Sequence, residues 1–450
     1  MTVSRYICLG FASVILIGAI LLTFPFSNNE GIWDNFITSL FISTSAVCVT
    51  GLSVVPDLGK HYSFLGQFFI ALLTQVGGLG YMTATTFLLL LLGRKFGLKE
   101  RIAIQQSLDQ PGLAGVIQLV KSIIATTLIF ELTGAFLLMF DFVPQYGWNL
   151  KSIWYSIFHS VSAFNNAGFG LLPTNFMEYV KSPIVNFTIP MLIVFGGIGY
   201  GVIMEMFLWL RDRQKFRILF SLNFKIAVST TLFLLIGGTL AFLLLEYSNK
   251  DTFAPLNFGE KLMAAWFQSV TPRTAGFNTI DIGKMTDASL FLTIVLMFIG
   301  ASPGGTGGGI KTTTFRVFIN TTQAVLKGQE QVNCYNKRIP LSLILKAVGV
   351  FFGSLLVVII STTLLELIDG KTIVNNQEIQ FIQIIFESVS AFGTVGLSTG
   401  ITPYLSWLSE LVLIATMYIG RVGVLLLMSA ILGDPKPQTV SYPEDNLLVG

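Results

Sequence analysis

Charge is what this sequence has least of. Asp, Glu, Lys and Arg make up 11% of its 450 residues, against about 25% in an ordinary soluble domain. A globular surface in water needs more charge than that, so a soluble protein is excluded. Cysteine is sparse and odd in number: Cys8, Cys48 and Cys334 show neither a pairing pattern nor metal-ligand spacing, which argues against a disulfide framework and against a structural metal. The formal net charge of +3 is concentrated in a few loops, as membrane topology requires, and gives no ground for a nucleic-acid partner. Only Arg5 precedes the first apolar run, and no A-x-A-type cleavage site follows it. That run is too long for a signal-peptide core and is expected to stay as a first helix.

What fills the chain is apolar: 53% hydrophobic residues and a mean hydropathy of +0.73. Apolar runs fall near 6–26, 64–92, 116–140, 185–210, 223–245, 286–300, 341–365 and 404–432. Most reach the ~20 residues that span a hydrocarbon core; the run at 286–300 is too short. Basic clusters at Arg94, Lys95, Lys99 and Arg101, at Arg211, Arg213, Lys215 and Arg217, and at Lys327, Lys337 and Arg338 mark three cytoplasmic loops. The alternate loops carry acids, among them Asp34, Asp57, Asp141, Asp251 and Asp369. Eight spans then place both termini in the cytoplasm.

Four related segments lie between successive pairs of spans: TSAVCVTGL at 44–52, VSAFNNAGF at 161–169, VTPRTAGF at 270–277 and VSAFGTVGL at 389–397. Each ends in Gly followed by Leu or Phe, and the third is one residue shorter. Upstream of each is an amphipathic stretch too short to cross a bilayer, at 33–45, 150–162, 257–270 and 377–390. A span, a short re-entrant helix, a Gly-containing extended segment and a second span make one unit, repeated in parallel orientation. The expected fold is an all-α integral membrane protein of four M1-P-M2 repeats, with eight transmembrane helices and four re-entrant pore helices around one pseudo-fourfold pore. The repeats divide the chain at 1–97, 98–214, 215–330 and 331–434, with a cytoplasmic tail at 435–450.

Non-helical backbone at membrane depth is tolerated where it lines a cavity or is buried in protein. Gly51, Gly168, Gly276 and Gly396 are the natural places for backbone that turns carbonyls inward. A ring of carbonyls can replace the hydration shell of K+, and the C-terminal ends of four short helices would favour a cation. The plainer alternative makes each Gly a helix C-cap; four copies at equivalent positions weigh against it.

These segments, with the run GASPGGTGGGIKTTT at 300–314, resemble the Trk/Ktr/HKT superfamily of potassium transporters, in particular the membrane subunit of a bacterial Ktr-type uptake system. The resemblance covers essentially the whole chain. It implies a K+ selectivity filter made of Val49, Thr50 and Gly51, Asn166, Ala167 and Gly168, Thr274, Ala275 and Gly276, and Thr394, Val395 and Gly396. Na+-preferring plant relatives carry Ser in the first repeat, so Gly51 favours K+. It also implies a homodimer in the plasma membrane, a cytosolic RCK-type regulatory ring that carries any nucleotide, Na+ as a candidate activator, and a tail ending at Gly450 that lies at the dimer interface.

Six glycines and a proline between 300 and 309 forbid a continuous helix there, and this is read as the one interrupted second span. The resemblance makes it an intramembrane gate formed by Gly304, Gly305, Thr306, Gly307, Gly308, Gly309 and Lys311. From the residues alone it is a segment of small side chains and low ordering, able to move aside at modest cost. Residues 304–312 nearly match a phosphate-binding P-loop, but Ile310 is inserted before Lys311 and an apolar helix precedes it where a P-loop follows a strand. No catalytic residues are assigned.

Arg421, midway along the last span, is a functional candidate by its depth. By resemblance it faces the pore and touches the Gly-rich loop; the alternative is an ion pair with Glu387 or Glu205. Glu131 and Glu205 are read as packing partners before relays, His159 as a packing residue of the second short helix, and Arg273 as a salt-bridged scaffold behind the third segment. GGLG at 77–80 and GGIG at 196–199 are expected to allow close helix approach, with a hinge as the alternative. A K+-binding subunit of an ATP-driven pump is the main rival reading. A substrate-coupled secondary transporter is disfavoured, since such folds commonly use inverted repeats.

Overall fold

The computed structural model describes residues 3–80, 83, 116–211, 220–374 and 377–432. The basic cluster at 94–101, most of that at 211–217 and the tail at 435–450 lie outside them. The described chain is helical, with two antiparallel pairs of two-residue strands, Asn333–Cys334 with Lys337–Arg338 and Ile373–Val374 with Gln377–Glu378.

One succession of elements recurs. It runs α1 (Val3–Thr23), α2 (Phe36–Val47) and α3 (Phe64–Leu79), then α4 (Val116–Tyr146), α5 (Leu150–Phe164) and the bent pair α6 (Pro183–Gly197) and α7 (Tyr200–Arg211). Next come α8 (Leu222–Glu246), α9 (Phe258–Val270), α10 (Asp287–Phe298) and α11 (Thr312–Leu326). Last are α12 (Leu341–Asp369), α13 (Phe381–Gly393) and the bent pair α14 (Trp407–Val422) and α15 (Val424–Leu432). Among the described residues, four helices are long and apolar enough to cross a membrane, or up to six if each bent pair is one span. Large apolar side chains such as Ile17, Ile129, Phe233 and Ile359 point outward while many Ser and Thr are buried, the arrangement expected of a chain solvated by lipid.

The short helices α2, α5 and α9 begin at Asn35, Asn149 and Asn257, whose side chains accept from first-turn amides. Such caps satisfy donors that a buried helix start would otherwise strand. The fourth, α13, begins at 381 and not at 377, because Gln377–Glu378 pairs as a strand and Gln380 forms the capping box.

A serine on each short helix bonds to the main chain of the long helix before it. Ser43 Oγ donates to Ile15 O at 2.7 Å, Ser160 to Glu131 O at 2.6 Å, Ser269 to Leu235 O at 2.7 Å and Ser388 to Val358 O at 3.3 Å. In the first three cases a glycine three residues on (Gly18, Gly134, Gly238) leaves room for the serine; a Cβ there would overlap it.

The helices that follow approach the last turn of the short helices equally closely. A Cβ at Gly77, Gly196 or Gly420 would overlap the carbonyl of Val47, Phe164 or Phe392, so the expectation of close approach at 77 and 196 holds. The third unit is not alone in being interrupted, however. α6 and α7 meet at 103° and α14 and α15 at 96°, with Gly199 at φ +97° and Gly423 at φ +89°. Glycine at positive φ ends a helix without strain, and the uninterrupted hydrophobicity of these runs hides the break.

Gly420→Ala is expected to lower stability by about 1–3 kcal/mol, the usual cost of overpacking. Gly201→Ala, where nothing lies within 4 Å of the added carbon, should be neutral or slightly stabilising. Thermal unfolding in detergent compares the two.

Candidate functional site

After each short helix the chain turns into its Gly-containing segment, and that helix's free C-terminal carbonyls take the segment's amides. The middle residue binds in the same way each time: Thr50 N to Ser45 O at 2.7 Å, Ala167 N to Ser162 O at 2.8 Å, Ala275 N to Thr271 O at 3.0 Å and Val395 N to Ser390 O at 2.9 Å. The third segment is one residue shorter, yet Ala275 takes the equivalent bond, so its alignment is settled by geometry. Gly51 N and Gly396 N bind the hydroxyls of Ser45 and Ser390 at 3.0 and 3.1 Å.

With their amides directed back at the helices, the segments meet one another through carbonyls and glycines. A Cβ on Gly51 would overlap Ala167 O, one on Gly168 would overlap Ala275 O, one on Gly276 would overlap Val395 O and one on Gly396 would overlap Thr50 O. The four contacts close a ring in the order of the sequence. All four glycines also line one cavity of about 200 Å³, whose wall includes Ser53, Asn175, Asn278 and Ser398 and no charged side chain.

The glycines have φ between +71° and +90°, as their role in turning the backbone requires. A feature not anticipated is that the first residue of every segment is left-handed as well: Val49 at +53°, Asn166 at +57°, Thr274 at +64° and Thr394 at +49°. Three of these are β-branched, for which that region is a genuine outlier. Strain of about 1–3 kcal/mol per residue persists only where the surroundings impose it. Nothing in the local sequence signals it, since Val and Thr are the residues least expected there.

Residues 300–311 lie against the other side of this ring. The segment folds back on itself, Gly300 N donating to Ile310 O at 2.9 Å and Ala301 N to Gly308 O at 3.3 Å, and it is tied to α6 by Ser302 N to Gly197 O at 2.9 Å and Thr306 N to Gly196 O at 3.0 Å. Small side chains let the backbone come close enough for these bonds. Gly308 N donates to Thr394 Oγ1 at 3.1 Å, and a Cβ on Gly307 would overlap Thr274 Oγ1. Gly304, Gly305, Gly309 and Lys311 face a second cavity of about 310 Å³, shared with Tyr200 and Arg421. The Gly-rich segment thus stands between two cavities.

Arg421 donates to Thr306 O and to Gly77 O. The alternative ion pair is not formed: Glu205 accepts from Ser221 N and Oγ at 3.0 and 2.6 Å, and Glu387 from Thr399 N at 3.1 Å, Thr402 Oγ1 at 2.9 Å and Ser398 Oγ. Lys311 Nζ donates to Gly307 O at 2.8 Å. Arg273 has no salt bridge among the described residues; it reaches Gly300 O at 3.3 Å, so a carbonyl of the Gly-rich segment replaces the expected carboxylate. His159 is a packing residue, with Nδ1 2.7 Å from Tyr155 O and Nε2 accepting from Leu171 N at 3.1 Å. Glu131 accepts from Asn165 Nδ2 at 2.9 Å, behind the second segment.

A family model described as "TrkH: Cation transport protein" matches residues 11–439. The chain belongs to this family. It is 39% identical to Ktr system potassium uptake protein B of Bacillus subtilis (strain 168), over 100% of this chain and 97% of that protein. It is 37% identical to the potassium/sodium uptake protein NtpJ of Enterococcus hirae, over 99% and 97%. The crystal structure of the potassium transporter TrkH from Vibrio parahaemolyticus matches with a TM-score of 0.74 at 19% identity, covering 95% of this chain and 84% of that one; at that identity the likeness concerns the fold. As a TrkH-family member with several apolar helices, the chain is a multi-pass membrane protein of a cation transport family.

Glu387, read from the sequence as a partner for Arg421, instead braces the loop at 398–402 that borders the cavity lined by the four glycines. Glu387→Leu would strand its three donors, at about 1–3 kcal/mol per unpaired group. A clear fall in melting temperature, larger than for Glu387→Gln, is expected in detergent-solubilised protein.

Proposed function

We propose that the chain carries K+ inward across the plasma membrane through one pore built from four M1-P-M2 units, at 1–97, 98–214, 215–330 and 331–434, with both termini cytoplasmic. Val49–Gly51, Asn166–Gly168, Thr274–Gly276 and Thr394–Gly396 form the filter. Residues 304–309, Lys311 and Arg421 form the gate below it. The observation that carries this is the closed ring of four glycine contacts, each setting one segment's glycine against the next segment's carbonyl. Oxygens arranged in a ring can replace a cation's hydration shell, and a membrane potential supplies ~2.3 kcal/mol per charge per 100 mV.

Potassium as cargo is supported by the relatives whose names specify potassium uptake. NtpJ, named for potassium and sodium, keeps Na+ in view as activator or second cargo. Relatives are named as parts of a Ktr system, which supports a partner; a homodimer under a cytosolic RCK ring, with nucleotide bound there, is the arrangement proposed. The basic loop at 327–338 is one of its landing surfaces.

Reconstituted alone in liposomes, the wild type is expected to carry K+ and Rb+ in preference to Na+. Gly396→Ser should reduce that preference about tenfold or more, equivalent to ~1.4 kcal/mol of relative binding, because the new side chain meets Thr50 O. Deletion within 304–309 should raise the flux. Absence of K+ flux under every condition, with a cytosolic regulator added, would defeat the conduit and favour the pump-subunit alternative.

A further inference from the structure

Resting on the conduit reading, we propose that the Gly-rich segment is latched by a side-chain oxygen of the innermost cation site, Thr394 Oγ1, so that a cation there and the docked segment oppose each other. The inner end of the ring carries four side chains, of Val49, Asn166, Thr274 and Thr394. Valine offers nothing to a cation; the other three offer oxygens. In the structure two of them already have N–H donors. Thr394 Oγ1 accepts from Gly308 N at 3.1 Å, and Thr274 Oγ1 from Asn166 Nδ2 at 3.2 Å.

The contact is built for backbone. A Cβ on Gly307 or Gly308 would overlap the threonine hydroxyl it faces, so only glycine brings a main-chain amide to that depth. The same stretch carries positive charge: Lys311 Nζ binds Gly307 O at 2.8 Å and Arg421 binds Thr306 O. A cation arriving from the filter would approach Thr394 Oγ1 where the Gly308 amide already sits at 3.1 Å. It also meets the positive end of that N–H dipole and two cationic side chains nearby. Cation and N–H dipole converge on one oxygen, and their repulsion sets the two states against each other: an occupied inner site drives the segment out. Because Na+ and K+ differ in the number and distance of oxygens they require, the two ions should release the latch to different degrees. The filter would then sense the ion it selects and report it to the gate.

Ala301 is a built-in reporter, buried and shielded by Gly307. In a full-length background with Cys8→Ser, Cys48→Ala and Cys334→Ser, an Ala301→Cys substitution is labelled in liposomes by a membrane-impermeant thiol reagent from the inner-cavity side. The bath holds K+, Na+ or the impermeant N-methyl-D-glucamine, and Rb+ flux is recorded on the same preparations. Labelling is expected to be faster in K+ than in N-methyl-D-glucamine. Thr394→Val should speed labelling roughly three- to tenfold, the effect of one lost hydrogen bond, and make it independent of the cation. Thr394→Ser should restore the cation dependence. Gly308→Ala attacks the latch from the other side and should resemble Thr394→Val, which guards against misfolding of either variant. Intact Rb+ flux with labelling that ignores the cation, or with Thr394→Val labelled like the parent, overturns the latch alone. No Rb+ flux in the wild type under every condition, with a cytosolic regulator added, removes the conduit reading and this proposal with it.

Discussion

The constraint on which the rest depends is the fate of the last carbonyls of four short helices. Buried in a membrane protein, they have no water to bind, and the chain meets the need by curling each following segment back so that its amides close the helix. That single choice leaves the segments' own carbonyls without internal partners and turns them toward one another. It also forces the first residue of each segment into the left-handed region, where Val49, Thr274 and Thr394 have no intrinsic reason to be. The strain is held by serines reaching back to the long helices and by glycines that bring neighbouring helices within touching distance. A site made of backbone can be only as rigid as this scaffold, and every level of packing around it is directed at the short helices.

The third unit departs from the others in a connected way. Its segment is one residue shorter, Arg273 takes the position before Thr274, and the helix that follows is replaced by α10, a bonded loop and α11. The guanidinium of Arg273 reaches Gly300 O at 3.3 Å, where the loop begins, so the irregular segment and the irregular helix are joined by one side chain. Asn166 donates to Arg273 O and to Thr274 Oγ1, both at 3.2 Å, which fastens the second unit to the same point. The asymmetry is therefore local, gathered on the side of the ring away from Val49, while the ring itself stays nearly regular.

Much of this was legible from residues, and the parts that were not share a cause. Long apolar runs and a recurring Gly-Leu or Gly-Phe signature are properties of side chains read in order, so the succession of helices and the four glycines could be placed. The bends at Gly199 and Gly423 could not, because hydrophobicity continues unchanged through them and a glycine that permits packing looks the same as one that ends a helix. The loop at 300–311 carries a related ambiguity: small side chains suggest freedom, but they also admit the backbone contacts this loop makes to Gly196 and Gly197. Left-handed Val and Thr are the extreme case, a conformation imposed by tertiary hydrogen bonds against local preference. Arg273 was assigned a carboxylate partner because side-chain charge is visible in a sequence and a main-chain carbonyl is not.

That last substitution says something about the charges in this chain. Arg421, Lys311 and Arg273 each donate to carbonyls of the Gly-rich segment or its neighbours, and neither arginine forms a salt bridge among the described residues. A carboxylate would neutralise the charge, and breaking such a buried pair would cost about 3–5 kcal/mol. A carbonyl satisfies the donor while leaving the positive charge in place, and it can be exchanged for another carbonyl or for water when the segment shifts. For the proposed gate both properties are needed: the field must persist while the segment is docked, and the bond must be weak enough to give up. Carboxylates are present nearby in Glu387, Glu131 and Glu205, yet each is turned away and occupied by hydroxyl, amide or backbone donors. Beside the ring, Glu387, Glu131 and Glu205 thus serve as braces, while Arg421 and Arg273 keep their charge un-neutralised by any carboxylate among the described residues.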